Sequence, residues 1–221
     1  MPQVKIKKIF IFIWVALLLL ALFIEFEDIP RAILAEKSPL TIIKFIQKLA
    51  GLWAFVMLSF QIPLGAFMDY LEEKLGSWVY KFHLTEGAIL YSLILLHPLS
   101  YLLFLLVATK IFAVFYIFTD FCILCKTRPE LFYTFGRIAF WFVTVAVTAA
   151  VLRKQPWWKN NWRYFHKLNY IVYPLVAIHA YFIGSDAKNP LFLGIFILGV
   201  GVYLITIFIK IKNWFVENIS K

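Results

Sequence analysis

Apolar residues run through this chain in blocks of about twenty, separated by short segments that hold most of the charge. Twenty predominantly apolar residues rising about 1.5 Å each match the roughly 30 Å hydrocarbon thickness of a bilayer. Six such helices are predicted, at about 9–25, 41–66, 82–108, 131–152, 164–184 and 190–210. Pro63, Pro98 and Pro174 fall inside or near the ends of these spans, where membrane helices tolerate proline. Between the third and fourth spans lies Thr109 to Glu130, whose apolar stretch 111–118 is too short to cross. An interfacial or re-entrant segment is expected there. No linker, repeat or low-complexity tract divides the 221 residues, so the expectation is one all-α, integral membrane domain over 1–221: a six-helix bundle.

Composition strengthens this picture. The chain is 63% hydrophobic and 19% aromatic, with a mean hydropathy of +0.84. Soluble domains average roughly 45–50% apolar. The net charge of +10 does not gather into one basic patch but sits in short segments between apolar runs, as topology and headgroup signals do, so the lipid bilayer and not nucleic acid is the expected partner. With the N-terminus inside, thirteen of the 22 Lys and Arg residues fall on inner segments and nine on outer ones. The dense inner segments, such as Lys5, Lys7 and Lys8 or Arg153 to Lys167, put both termini in the cytoplasm of a cell inner or plasma membrane protein. The first apolar run has a signal-peptide-like basic flank. It lacks a small-residue cleavage site before Phe26-Glu27-Asp28-Ile29-Pro30 and is expected to remain as a helix.

Four histidines carry the candidate chemistry. His83 and His97 lie fourteen residues apart on the third predicted helix, His166 and His179 thirteen apart on the fifth. One helix separates the two, so they run in the same direction. His83 and His166 are then near the inner side, His97 and His179 toward the outer. At about 1.5 Å per residue the members of a helix pair are roughly 20 Å apart along the axis, a suitable separation for two stacked b hemes. Each heme would take one imidazole from each helix. Metal-ion binding fits these residues less well, because two histidines of one helix are too far apart to share an ion. Fourteen residues turn through about 1400°, close to four full turns, but thirteen leave His166 and His179 about 140° out of phase in an ideal helix. The fifth helix is therefore expected to be irregular between them, through Pro174 or because His166 lies at the helix start.

Several other residues have two readings. Arg137, on the outer part of the fourth helix, could meet an outer-heme propionate, or Asp120, Glu130 or a headgroup phosphate. Arg163 and Lys167 flank His166 as inner-propionate partners or positive-inside signals. Glu86, one turn after His83, could orient a ligand or relay a proton, or pair with Lys81 or Arg163. Gly87 could admit a porphyrin or pack a helix. Trp157, Trp158 and Trp162 suit an interfacial belt better than an electron relay. Cys122-Ile123-Leu124-Cys125 is a C-x-x-C without the following histidine of a c-type heme site. On this topology it faces outward, where a thiol or disulfide role competes with chance placement.

Phe82-His83, Leu96-His97-Pro98, Gly136-Arg137-Ile138-Ala139, Trp162-x-x-x-His166-x-x-x-Tyr170 and Ile178-His179-Ala180 together resemble the ferric reductase-like transmembrane domain over about residues 45–210. That family includes ferric reductases, the membrane core of NADPH oxidases and the heme subunit of methionine-sulfoxide reductase systems. The resemblance implies six helices and two b hemes, ligated by His83 with His166 inside and His97 with His179 outside. It also implies electron flow from a cytoplasmic-side donor to an outer-face acceptor, as an oxidoreductase component. The sulfoxide-reductase subunits lack a histidine matching His83, so this chain is closer to the ferric reductases there. Relatives carry a flavin and nicotinamide domain after the sixth helix. Here the chain ends about ten residues later and holds no glycine-rich dinucleotide fingerprint. No FAD or NAD(P) site is expected, and a separate cytoplasmic flavoprotein or a membrane quinol is the expected donor; the acceptor is unassigned. The alternatives are a heme subunit of a sulfoxide-reductase system and a proton-relay transporter without heme.

Overall fold

The computed structural model describes residues 2–36, 38–122 and 124–219, without the side chains of 2, 27–36 and 219. Among the described residues the chain is helix and turn with no strand. Lys37 and Lys221, which entered the charge count, lie outside these residues, as does the side chain of Arg31.

Helix α1 runs from Pro2 to Glu36, α2 from Pro39 to Ala66, the short α3 from Met68 to Leu75 and α4 from Trp78 to Thr109. Helix α5 is Val114–Phe118, α6 Arg128–Val151, α7 Pro156–His166, α8 Asn169–Ile183 and α9 Pro190–Ile219. Among the described residues five stretches are long and apolar enough to cross a membrane: Gln3–Phe26, Pro39–Ala66, Trp78–Thr109, Arg128–Val151 and Pro190–Asn218. These match five of the six predicted spans. The sixth, 164–184, is two helices. Its apolar part, Asn169–Ile183, has 15 residues, about 22 Å of rise, short of the hydrocarbon thickness on its own. The expected non-crossing segment is there too, as the five-residue α5 and its flanking loops.

Local signals account for several helix ends. Ser38 caps α2 by accepting from the Leu40 N–H at 3.3 Å, and Pro39 occupies the first turn, where its missing N–H leaves nothing unpaired. Pro129 does the same in α6. Pro63, Pro98 and Pro174 sit inside α2, α4 and α8. Helix α3, MDYLEEKL, buries no residue and gave no signal in hydropathy.

The core is built around α2, 61% of whose crossing stretch is buried, against 17–33% for the other four. It packs along α4, with α1 and α9 against its other sides; α6 packs along α7 and α8. Phe55, Val56, Tyr173 and Ile24 are almost fully buried, while Phe12, Leu19, Ile197 and Phe208 are more than half exposed. Large apolar side chains turned outward are what a helix in lipid presents.

Gln3 on α1 and Lys210 on α9 lie at one end of the bundle. Gln3 donates to the Lys74 carbonyl at 3.1 Å, and the Lys210 ammonium sits 5.4 Å from the Phe67 ring. At the other end Lys48 bridges Glu25 at 2.9 Å and Asp186 at 2.8 Å, tying α1 and the turn before α9 onto α2. Glu25 is 1% exposed and the two partners about 15%. Removing one member of a buried ion network strands the others and costs about 3–5 kcal/mol. Lys48→Met is therefore expected to lower the thermal unfolding midpoint in detergent sharply, and Lys48→Arg to retain most of it.

Candidate functional site

The four histidines come together in two pairs through the middle of the bundle. The His83 and His166 ring centroids are 6.2 Å apart and those of His97 and His179 6.4 Å apart. The ring planes are close to perpendicular, at 82° and 88°. These are the pairs that the helix directions predict.

The thirteen-residue spacing is met by a break in the helix. Helix α7 ends at His166 and α8 begins at Asn169. Across the join, Leu168 donates to the Phe165 carbonyl, Tyr170 to Lys167 and Ile171 to Leu168, at 2.8–3.0 Å. These are i→i−3 bonds, which wind at about 120° per residue instead of about 100°. Over the five steps from His166 to Ile171 the tighter winding recovers about 100° of the missing 140° or so. The expected irregularity is present, but Lys167–Leu168 supplies it; Pro174 lies within α8, and His166 closes a helix and does not open one.

Each pair is flanked by α2 on one side and α6 on the other. His97 Nδ1 is 2.8 Å from the Gln47 carbonyl of α2, and His179 Nδ1 is 3.0 Å from the Phe132 carbonyl of α6. His166 Nδ1 is 3.3 Å from the Ala146 carbonyl of α6. A carbonyl only accepts, so these three Nδ1 atoms carry the proton and donate. The neutral ring then keeps its lone pair on Nε2, the tautomer a metal-ligating histidine needs. His83 is the exception: its Nδ1 is buried without a hydrogen-bond partner among the described residues.

Glycines make room for these rings. A Cβ on Gly51 would lie 2.8 Å from His97 Nδ1, and one on Gly136 2.7 Å from His179 Nδ1. A Cβ on Gly65 would lie 3.5 Å from His83 Cε1. Gly51 and Gly65 are fourteen residues apart, as are His83 and His97 across from them. The accepting carbonyls Gln47, Phe132 and Ala146 lie four residues before Gly51, Gly136 and Ala150. The scaffold thus repeats every fourteen residues on α2 and on α6, once per histidine pair. Gly136 drew notice in the sequence as part of a motif; Gly51 and Gly65 did not, although their spacing was a usable signal.

Around the inner pair, Glu86 is 2% exposed and accepts from Trp14 Nε1 at 2.8 Å and from Gln61 Nε2. Gln61 also donates to the His83 carbonyl at 3.0 Å. Glu86 is thus bound to α1 and α2, and neither Lys81 nor Arg163 is its partner. Gly87 faces the Gln61 side chain, with a Cβ 3.7 Å from Oε1, so it serves helix packing. Trp162 lies against His166 at 5.8 Å, and Arg163 stacks on Trp162 at 5.6 Å; Lys167 lies over Tyr164 at 5.9 Å. Trp157 is 59% exposed, as a belt residue would be.

At the outer pair, Arg137 is 8% exposed. It donates to the carbonyls of Ile117, at 3.3 Å, and Asp120, and its guanidinium lies 5.0 Å from the Tyr116 ring and 6.0 Å from that of Tyr133. Tyr133 in turn is 6.3 Å from His179. Among the described residues no carboxylate pairs with Arg137. No family model matches the sequence, and no curated protein or solved structure matches it either.

Proposed function

We propose that this chain is a membrane protein that binds two b hemes and carries electrons across the bilayer, with His83 and His166 holding the inner heme and His97 and His179 the outer one. One observation carries most of the weight: two histidine pairs on parallel helices, each with ring centroids 6.2–6.4 Å apart. An interval of this size leaves room between the two rings for an iron with a bond of about 2 Å to each imidazole nitrogen. A buried pair packed for its own sake has no reason to keep that interval twice.

Heme bound at each pair would supply a one-electron ferric–ferrous couple whose potential follows from its axial ligands and surroundings. The chain's own groups do the rest. The backbone carbonyls of Gln47, Phe132 and Ala146 fix the imidazole tautomer and orientation. Phe55, Val56, Met57, Leu58 and Ile62 on α2 keep the space between the two levels dry. Arg137 uses two of its five N–H donors on carbonyls. The remaining donors can meet an outer propionate, which would balance its buried charge.

In this reading α7 and α8 together make a sixth crossing, antiparallel to α6, since His166 is level with Ala146 and His179 with Phe132. The end holding Gln3, Lys74 and Lys210 is cytoplasmic by its basic residues. Electrons enter there from a separate flavoprotein or a membrane quinol and leave at the outer face. A pyridine hemochrome assay with a reduced-minus-oxidised spectrum on the purified chain tests this. Two b hemes per chain are expected. None would overturn the reading, and one would move the chain to the pattern of the sulfoxide-reductase subunits.

A further inference from the structure

A second reactive cluster lies apart from the histidines. Cys122 and Cys125 are joined as a disulfide in the loop between α5 and α6. Glu130 offers a carboxylate oxygen within 4.8 Å of both sulfurs. This loop lies at the same end of the bundle as His97 and His179. The Cys122 N–H donates to Thr134 Oγ1 at 3.0 Å, and Thr134 is 2% exposed. Its neighbours on α6, Tyr133 and Gly136, are the residues that pack on His179. Arg137 binds the Asp120 carbonyl two residues before Cys122.

A purely structural bridge is a weak account of this pair. Closing a loop this short constrains the unfolded chain little, and Thr134 and Arg137 already fix the segment. C-x-x-C spacing is one that favours the thiolate, and so exchange chemistry. The carboxylate of Glu130 supplies a proton acceptor for that exchange.

We propose that Cys122–Cys125 is a redox-active disulfide. It takes electrons from the His97–His179 end of the bundle and passes them to a disulfide-bearing protein at the outer face. This rests on the electron-conduit reading above and names its acceptor. Two electrons, which a heme held by His97 and His179 would supply one at a time, and two protons cleave the S–S bond to two thiols. One thiol loses its proton to Glu130 and attacks a sulfur of the partner's disulfide. A mixed disulfide forms, and the partner's departing thiolate takes up a proton. The second thiol then attacks the mixed disulfide, re-forms Cys122–Cys125 and releases the partner as a dithiol.

The test is an anaerobic reductive titration of the purified full chain. Electrons are counted against heme absorbance, and thiols are counted in the same samples by a maleimide mass tag. The wild type should take four electrons per chain and gain two taggable thiols. Cys122→Ser/Cys125→Ser should take two electrons with an unchanged heme spectrum. His179→Ala should form thiols at least tenfold more slowly than wild type. Glu130→Gln should keep the count at four but slow the reaction of the reduced protein with dithiodipyridine. Two hemes with an uptake of only two electrons and no new thiols would overturn the disulfide's role and leave the heme reading standing, whereas a chain without heme would overturn both. Equal rates of thiol formation in wild type and His179→Ala would also overturn it, because the disulfide would then be reduced without the outer site.

Discussion

Replacing His97 or His179 with alanine is expected to remove one of the two proposed hemes and to leave the other, with the hemochrome falling from two to one per chain. His83→Ala or His166→Ala should do the same at the other level. The double variant His83→Ala/His179→Ala should hold none, because it takes one ligand from each pair. The pairing makes this outcome specific. Each pair takes one histidine from α4 and one from the α7–α8 segment, so on the proposed ligation removing both members of one level, as in His97→Ala/His179→Ala, spares one heme. Two different double variants with opposite results separate paired ligation from general misfolding. If the cross-level and same-level doubles lost heme equally, the pairing would be wrong. The outer variants should also lose a contact on α2 or α6, since the rings of His97 and His179 are held by the Gln47 and Phe132 carbonyls. That loss is about 1 kcal/mol for each hydrogen bond, too small to abolish folding.

The second large effect is expected at the glycines and does not depend on what the histidines bind. Gly136→Ala would place a methyl group 2.7 Å from His179 Nδ1 and 2.9 Å from Cε1; Gly51→Ala would do the same to His97 at 2.8 and 2.9 Å. Neither ring can stay where it is. Overpacking costs about 1–3 kcal/mol, and displacing the ring also breaks its bond to the backbone. Both variants should unfold at clearly lower temperature, and both should lose the outer site. Gly65→Ala meets His83 at 3.5 Å, an ordinary contact, and should be close to neutral. Gly194 and Gly201 on α9 have nothing within 4 Å of a new Cβ. Alanine there should stabilise by about 0.5–1 kcal/mol through helix propensity alone. A graded series, severe at 51 and 136, close to neutral at 65 and slightly stabilising at 194 and 201, is the expected pattern in thermal melts. A flat series would mean that the glycines do not set the ring positions.

Much of this was legible in the order of residues. The length of each apolar run determined five crossing helices, three of them to within four residues at either end, because a bilayer imposes one length on everything that spans it. The spacing of four histidines determined which would meet, because axial rise and the alternation of helix direction place His83 level with His166 and His97 level with His179. It also determined that 166–179 could not be a regular helix. What decides how that conflict is settled is tertiary. The run of i→i−3 bonds around Lys167–Leu168 follows from α6 holding His166 at Ala146 and His179 at Phe132, and no local signal marks those two residues. The partners of Arg137, Glu86 and Lys48 were equally hidden. A buried charge takes whatever donor or acceptor the packing brings to it, and for Arg137 these were backbone carbonyls of α5 and the turn after it, 20 and 17 residues earlier. Sequence thus determined the levels at which the histidines stand. Only the packed bundle, with α2 and α6 supplying a carbonyl or a missing side chain at each level, decided which way the rings face.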